Sequence, residues 1–317
     1  MKSMKILTLL LAAGFLTLPL AGSATAADAE AVKTFALGQY TVHPVLDRQG
    51  EMKISLFSGP LSPEERAALM PGGVAPSSVN IFVVKGPAGN ILIDAGWGAS
   101  GPGQDFFAER LKTLGLTFED INLILLTHMH PDHIGGLLKG TAPAFPKARV
   151  LVSAPELRFW RGKVEGAAKG KPNPASAELN PKAPPVAPGD LLAAVLTAYG
   201  DRLETFEFES PLAEVFTPLA AIGHTPGHTV FLMESEGHKL LFIGDSLHAA
   251  RLQFPQPDEN ASYDQDPEQA AASRRAILTL AAEENLPIAG AHIPFPGTGR
   301  VKKEGTGFAF TPTIEGF

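Results

Sequence analysis

Thr127-His128-Met129-His130-Pro131-Asp132-His133-Ile134-Gly135-Gly136 decides the reading of this chain. It places four groups able to bind a metal (His128, His130, Asp132 and His133) within six residues. The stretch follows Ile121 to Leu126, a continuous apolar run of the kind expected for a strand buried on both faces. A strand end lies at the edge of a sheet, where α/β proteins usually bind ligands. Neither a regular helix nor a strand projects all four side chains to one side, so an irregular loop is expected.

Three more groups sit at strand ends further along. His228 lies in Gly223-His224-Thr225-Pro226-Gly227-His228-Thr229. Asp245 follows the apolar run Leu240 to Ile243, and His292 follows Pro287 to Ala291. The expected set is His128, His130 and His228 on one ion, and Asp132, His133 and His292 on a second, with Asp245 bridging. Each ion then has nitrogen and oxygen ligands and room for water, as a catalytic site requires. Zinc is the default metal. The same donors admit manganese, iron, cobalt or nickel.

Composition narrows the alternatives. The chain has 317 residues, no cysteine, 44% hydrophobic and 19% charged residues, and a net charge of −7. Thiolate ligands and disulfides are excluded, and the charge favours neither nucleic acid nor an anionic membrane surface. Lys2 and Lys5, the apolar run Ile6 to Leu20 and the small-residue site Ala24-Thr25-Ala26 read as a cleavable signal peptide over residues 1–27. Residues 28–317 then form one domain of a periplasmic or secreted protein, free of the membrane once the signal is removed.

The remaining patterns alternate. Strands are expected at Tyr40 to Leu46, Asn80 to Lys85, Asn90 to Asp94, Arg149 to Ser153, Leu203 to Phe208 and Thr229 to Glu234. Helices are expected at Ser62 to Leu69, Gln104 to Gly115, Leu191 to Tyr199 and Pro267 to Asn285. Ser62, Pro63 and Glu65 form a capping-box signal. Gly86-Pro87-Ala88-Gly89 marks a hairpin. Glu165 to Gly189, rich in Pro, Lys, Ala and Gly, reads as a surface loop or a lid beside the site. The mixture implies α/β architecture.

The H-x-H-x-D-H run, the G-H-T-P-G-H segment, the later Asp245 and the final His292 resemble the metallo-β-lactamase superfamily over roughly residues 35 to 317. That resemblance implies a four-layer αβ/βα sandwich, with two mixed sheets face to face and helices outside. It takes His228, the second histidine of its segment, as the ligand, and His224 as a supporting residue. It also assigns Asp94, in Ile93-Asp94-Ala95-Gly96, to support the ligands from behind. Ala144-Phe145-Pro146, Phe159-Trp160, Gln253-Phe254, His292 to Gly297 and Gly305 to Phe310 look similar to methyl parathion hydrolases and lactonase-like members. Asp245, in a chain without cysteine, argues against zinc β-lactamases acting on antibiotics.

By this resemblance Trp160 is a pocket-wall candidate; Phe57 and Phe254 are further candidates, and His248, three residues after Asp245, is expected to support the metals or face substrate. His43 and His238 are expected to be non-catalytic. A dimer through the N-terminal loop is also implied. A bridging hydroxide would attack a lactone, aryl ester or phosphotriester that is small, neutral and hydrophobic, with Asp132 orienting the nucleophile and carrying a proton. A serine nucleophile is unsupported, since no G-x-S-x-G elbow is present. Thioester hydrolysis, mono-iron sulfur oxygenation and a non-catalytic periplasmic metal-binding role are the alternatives.

Overall fold

The computed structural model describes residues 30–101, 105–168 and 188–315. The expected signal peptide and residues 169–187 of the expected lid lie outside the described residues. Among those described, no helix is long and apolar enough to cross a membrane.

Seven strands form the first sheet in chain order: β1 (Phe35–Leu37), β2 (Tyr40–Lys53), β3 (Val74–Gly86), β4 (Gly89–Ile93), β5 (Leu123–Leu125), β6 (Arg149–Ser153) and β7 (Leu203–Phe206). Pairing is antiparallel from β1 to β4 and parallel from β4 to β7. A second sheet of six strands is also laid down in chain order: β8 (Phe216–Ala220), β9 (Thr229–Ser235), β10 (His238–Gly244), β11 (Pro287–Gly290), β12 (Thr298–Glu304) and β13 (Gly307–Pro312). Only β10 and β11 are parallel there.

Side-chain alternation explains the layering. In β3, Phe82 and Val84 point to the second sheet, whereas Ile81 and Val83 point to helices. In β10, Leu240 and Phe242 face the first sheet, and Leu241 and Ile243 face away from it. Phe82 meets Phe242 edge-to-face at 5.3 Å between ring centres, joining the sheets. Both sheets are therefore apolar on both sides, which is why their strands read as unbroken hydrophobic runs.

The outer face of the first sheet is covered by α2 (Phe107–Thr113), α4 (Ala154–Ala168) and α5 (Pro188–Tyr199), and that of the second by α6 (Pro267–Glu283). The expected four-layer sandwich is the observed fold. Helix α1 (Pro63–Leu69) carries the expected capping box, with the Glu65 N–H donating to the Ser62 hydroxyl and the Ser62 N–H to the Glu65 carboxylate.

Several boundaries differ. The segment following β6 was not expected to be helical, yet α4 runs from Ala154 to Ala168 and takes in the start of the expected loop at Glu165. Its sequence is weakly amphipathic, and packing against β6 and α5 supplies what periodicity does not. Strand β2 runs on to Lys53 because β3 pairs with it along its length. Strands β8, β12 and β13 carried no clear alternation of their own.

Candidate metal centre

The topology brings the motif residues to one edge. Strands β4 and β5 are parallel, so Asp94 and His128 emerge from the same end of the first sheet. In the second sheet, β9 is antiparallel to β10, and β10 is parallel to β11. The segment entering β9, which carries His224 and His228, therefore lies beside the exits of β10 and β11, which carry Asp245 and His292. Pro131 shapes the intervening loop. It disfavours helical geometry at His130, whose backbone is extended (φ −69°, ψ 156°), and starts the one-turn helix α3 (Pro131–Ile134) that presents Asp132 and His133.

Three overlapping donor groups result, two of which share no residue. His128, His130, His224 and Asp245 each offer an atom within 4.8 Å of the others, and so do Asp132, His133 and His292; Asp245, His248 and His292 form the third. His130 Nδ1 lies 2.9 Å from both His128 Nε2 and His224 Nε2. Asp245 joins the clusters: Oδ2 is 3.6 Å from His128 Nε2, 3.3 Å from His224 Nε2 and 3.1 Å from His292 Nε2, and Oδ1 is 3.1 Å from His133 Nε2. Asp132 Oδ2 is 3.3 Å from His292 Nε2.

The other ring nitrogens are held from behind. His133 Nδ1–H donates to Asp94 Oδ2 at 2.8 Å, His224 Nδ1–H to Asp264 Oδ1 at 2.8 Å, and His292 Nδ1–H to the Ser78 carbonyl at 2.9 Å. His128 Nδ1–H donates to the Thr127 hydroxyl at 3.1 Å, which in turn donates to Asp94 Oδ2 at 2.8 Å. Each partner fixes the tautomer that turns an Nε2 lone pair inward. Asp94 also accepts the Thr127 N–H at 2.8 Å and adopts φ 58°, a left-handed conformation tolerable for Asp, so that both oxygens face the ligand loop.

His228 departs from the expected set. Its Nε2 accepts the backbone N–H of Asp245 at 2.9 Å, which leaves Nδ1–H to donate to the Ala221 carbonyl at 3.1 Å. A neutral imidazole used at both nitrogens has no lone pair for an ion. The assignment of His228 as ligand and His224 as support is therefore reversed. Spacing cannot tell the two apart, because they lie in one short loop. The turn geometry that aims one inward and the other along the backbone is tertiary. Gly244, at φ 48°, is required at the same place, since a Cβ there would sit 2.7 Å from His228 Nε2.

The donor set suits divalent cations. His133 Nε2 and Asp245 Oδ1 are buried and lack hydrogen-bond partners, although they face each other at 3.1 Å. Buried polar atoms are rarely left so. Burial acts to lower the pKa of His224 and His292, but the carboxylates of Asp245 with Asp264, and of Asp245 with Asp132, override it, to about 9 and about 10. For His130, burial dominates, then the neighbouring His224, and the pKa falls to about 3. Protons shared among imidazoles thus balance the buried carboxylates, and a cation would take over that role.

A cavity of about 410 Å³ opens on the cluster. Asp132, Asp245, His248 and His292 line its floor, and Leu56, Trp97, Ile134, Phe159, Trp160 and Leu192 its apolar walls. Trp160 is therefore at the pocket, as expected. Phe57 and Phe254 are not. Phe57 packs with Met70, Ala75 and Leu252, and Phe254 stacks on Phe310 at 4.7 Å on the far side of the second sheet. Leu56 ends a single 3-10 turn (Ile54–Leu56) and Phe57 opens the short strand that follows, and it is Leu56 that reaches the cavity. His248 both lines the cavity and approaches Asp245 Oδ2 at 3.0 Å. Sequence reasoning did not single out Asp264, Trp97 or Tyr263, which carry no motif signal. His43 and His238 are not among the cavity residues.

The metallo-beta-lactamase superfamily profile matches residues 74–292. The chain belongs to that superfamily. Among solved superfamily-like structures, AidC, a dizinc quorum-quenching lactonase in complex with an acyl-homoserine product, is similar with 28% identity and a TM-score of 0.78, over 90% of this chain and 98% of that one. The hydrolase AbOPH is similar with 26% identity and a TM-score of 0.78, over 90% and 99%. A probable metal-dependent hydrolase from Staphylococcus aureus shares the fold at 20% identity and a TM-score of 0.69, over 89% and 100%. No curated protein matches the sequence.

Proposed function

We propose that this protein is an exported, dinuclear-metal hydrolase of lactones, with aryl esters and phosphotriesters as further substrates. One observation carries the reading: two nitrogen–oxygen donor clusters share Asp245 at the floor of an apolar cavity. One ion would be held by His128, His130, His224 and Asp245, and the other by Asp132, His133, His292 and Asp245. When bound, such ions polarise a carbonyl or phosphoryl oxygen and bring the pKa of water towards neutrality. Two clusters favour hydrolysis over the mono-iron oxygenase reading. Zinc is the preferred metal, in line with the dizinc neighbour.

The chain's own residues supply orientation and proton handling. Asp132, whose side chain is 20% exposed at the cavity floor, is placed to orient the nucleophile and pass its proton to a leaving group there. His248 Nε2–H donates to Asp245 Oδ2 at 3.0 Å and so holds that carboxylate towards the clusters. The walls from Leu56, Phe159 and Leu192 exclude water and receive an apolar acyl or aryl group. A small neutral substrate fits this surface, and the sequence of residues 1–27 supports export.

The test is a panel of acyl lactones, aryl esters and phosphotriesters with zinc-loaded protein. His128→Ala and Asp245→Ala are expected to abolish turnover with circular dichroism unchanged. Undiminished turnover in both variants would rule the mechanism out.

A further inference from the structure

Glu156 is fully buried in the first turn of α4, directly beyond β6. No motif marks it, and the chemistry proposed above does not use it. Its Oε1 accepts the backbone N–H of Met129 at 2.9 Å and the indole N–H of Trp160 at 2.6 Å. Its Oε2 accepts the backbone N–H of Gly227 at 2.9 Å. Met129 stands between His128 and His130, and Gly227 stands three residues after His224. A single carboxylate therefore ties together the two loops that supply the three histidines of one donor cluster. Those loops come from different sheets and are joined by a single backbone hydrogen bond, from the Thr229 N–H to the Thr127 carbonyl at 2.9 Å, rather than by a strand ladder.

The neighbourhood is built around this tie. Ser153 donates its hydroxyl to the Gly227 carbonyl at 2.7 Å and accepts the Glu156 N–H at 3.4 Å. Gly227 is packed so closely that a Cβ would collide with the Glu156 backbone nitrogen. The three donors to the carboxylate are neutral N–H groups, and burying a carboxylate among neutral groups is costly. An apolar residue would fill the space at lower cost but would leave two loop N–H groups unsatisfied. Glutamine would present an amide N–H₂ to one of those N–H groups. Only an acceptor-only group satisfies all three donors at once.

We propose that Glu156 is a positioning residue for the ion held by His128, His130 and His224, setting the separation of the two ligand loops and, through Trp160, coupling that ion to the pocket wall. The inference rests on the two-ion reading. Loss of such outer contacts typically weakens metal affinity 10–100-fold. The other cluster (Asp132, His133 and His292) is held by Asp94 and Ser78 and has no direct contact with Glu156, so the larger effect falls on the first ion and reaches the second only through the shared Asp245.

The experiment titrates metal-free wild type and Glu156→Gln with zinc against a chromophoric chelator, and locates the ions in crystals by anomalous scattering. The expected result is two ions in the wild type. In Glu156→Gln the His128–His130–His224 ion is weakened 10–100-fold and the other clearly less. Equal affinity for both ions in wild type and variant overturns the proposal. So does equal weakening of both, because general loosening of the fold would do that. If Glu156→Gln does not fold, Ser153→Ala takes its place with a smaller selective loss expected, and unchanged affinities there overturn the proposal. A wild type that binds no zinc overturns the two-ion reading itself, and this inference with it.

Discussion

Exchanging the roles of His224 and His228 gives the sharpest test of the site. His224→Ala removes an imidazole whose Nε2 lies 2.9 Å from His130 Nδ1 and 3.3 Å from Asp245 Oδ2. Losing a ligand should cost more than losing an outer contact, so affinity for that ion should fall by more than about 100-fold. His228→Ala removes two hydrogen bonds and leaves the Asp245 N–H and the Ala221 carbonyl buried without partners. Each unsatisfied group costs about 1–3 kcal/mol, so a loss of roughly 2–6 kcal/mol is expected. At about 2–4 °C per kcal/mol for a large domain, that is roughly 4–24 °C in Tm. Elemental analysis after dialysis against limiting zinc, with thermal unfolding of the metal-free proteins, separates the two. His224→Ala should carry one ion fewer, whereas His228→Ala should keep both ions and melt earlier. The opposite pattern, with an ion lost only in His228→Ala, would refute the assignment.

Zinc binding at pH 7 should release protons, because His224 and His292, held at about 9 and about 10 by their carboxylates, must give them up. Calorimetry in buffers of different ionisation enthalpy measures this, and buffer-independent heats would contradict it. Chelation should lower Tm, and zinc at 100 times its dissociation constant should restore about 2.7 kcal/mol for each ion bound. An unchanged Tm would argue against metal in the native fold. Gly136→Ala should disrupt the ligand loop, since its Cβ would strike the Ala95 carbonyl oxygen, and normal metal content and stability would show that the packing yields. His43, outside the centre, has its pKa lowered to about 4 by burial and then by Lys85. The unfolded chain alone takes up a proton there between pH 6.5 and 4, so its stabilisation is present above 6.5 and is lost as pH falls through that window. His43→Asn should flatten the fall in the urea midpoint between pH 7 and 5 in chelated protein. A parallel fall would remove His43 from the account.

Much of the centre was legible because metal chemistry restricts residue type. Four donors in six residues after an apolar strand have few other uses, and Asp245 and His292 each follow a strand that reads clearly. The capping box of α1 and the hairpin between β3 and β4 rest on contacts a few residues apart, which local sequence encodes. Helix α4 was not legible, because its support comes from β6 and α5 rather than from its own weak periodicity.

The sequence by itself determined the donor set, the superfamily resemblance and the alternation that makes two sheets apolar on both faces. Which of two histidines four residues apart reaches the ions was decided only in three dimensions. His228 is taken up by the backbone of Asp245 and Ala221, groups adjacent to it only once the sheets have packed. The same holds for Leu56 in place of Phe57, for Asp264 behind His224, and for Glu156 between two loops. Each depends on a partner distant in the chain, and residue type fixes what a side chain can bind but not which neighbour it meets.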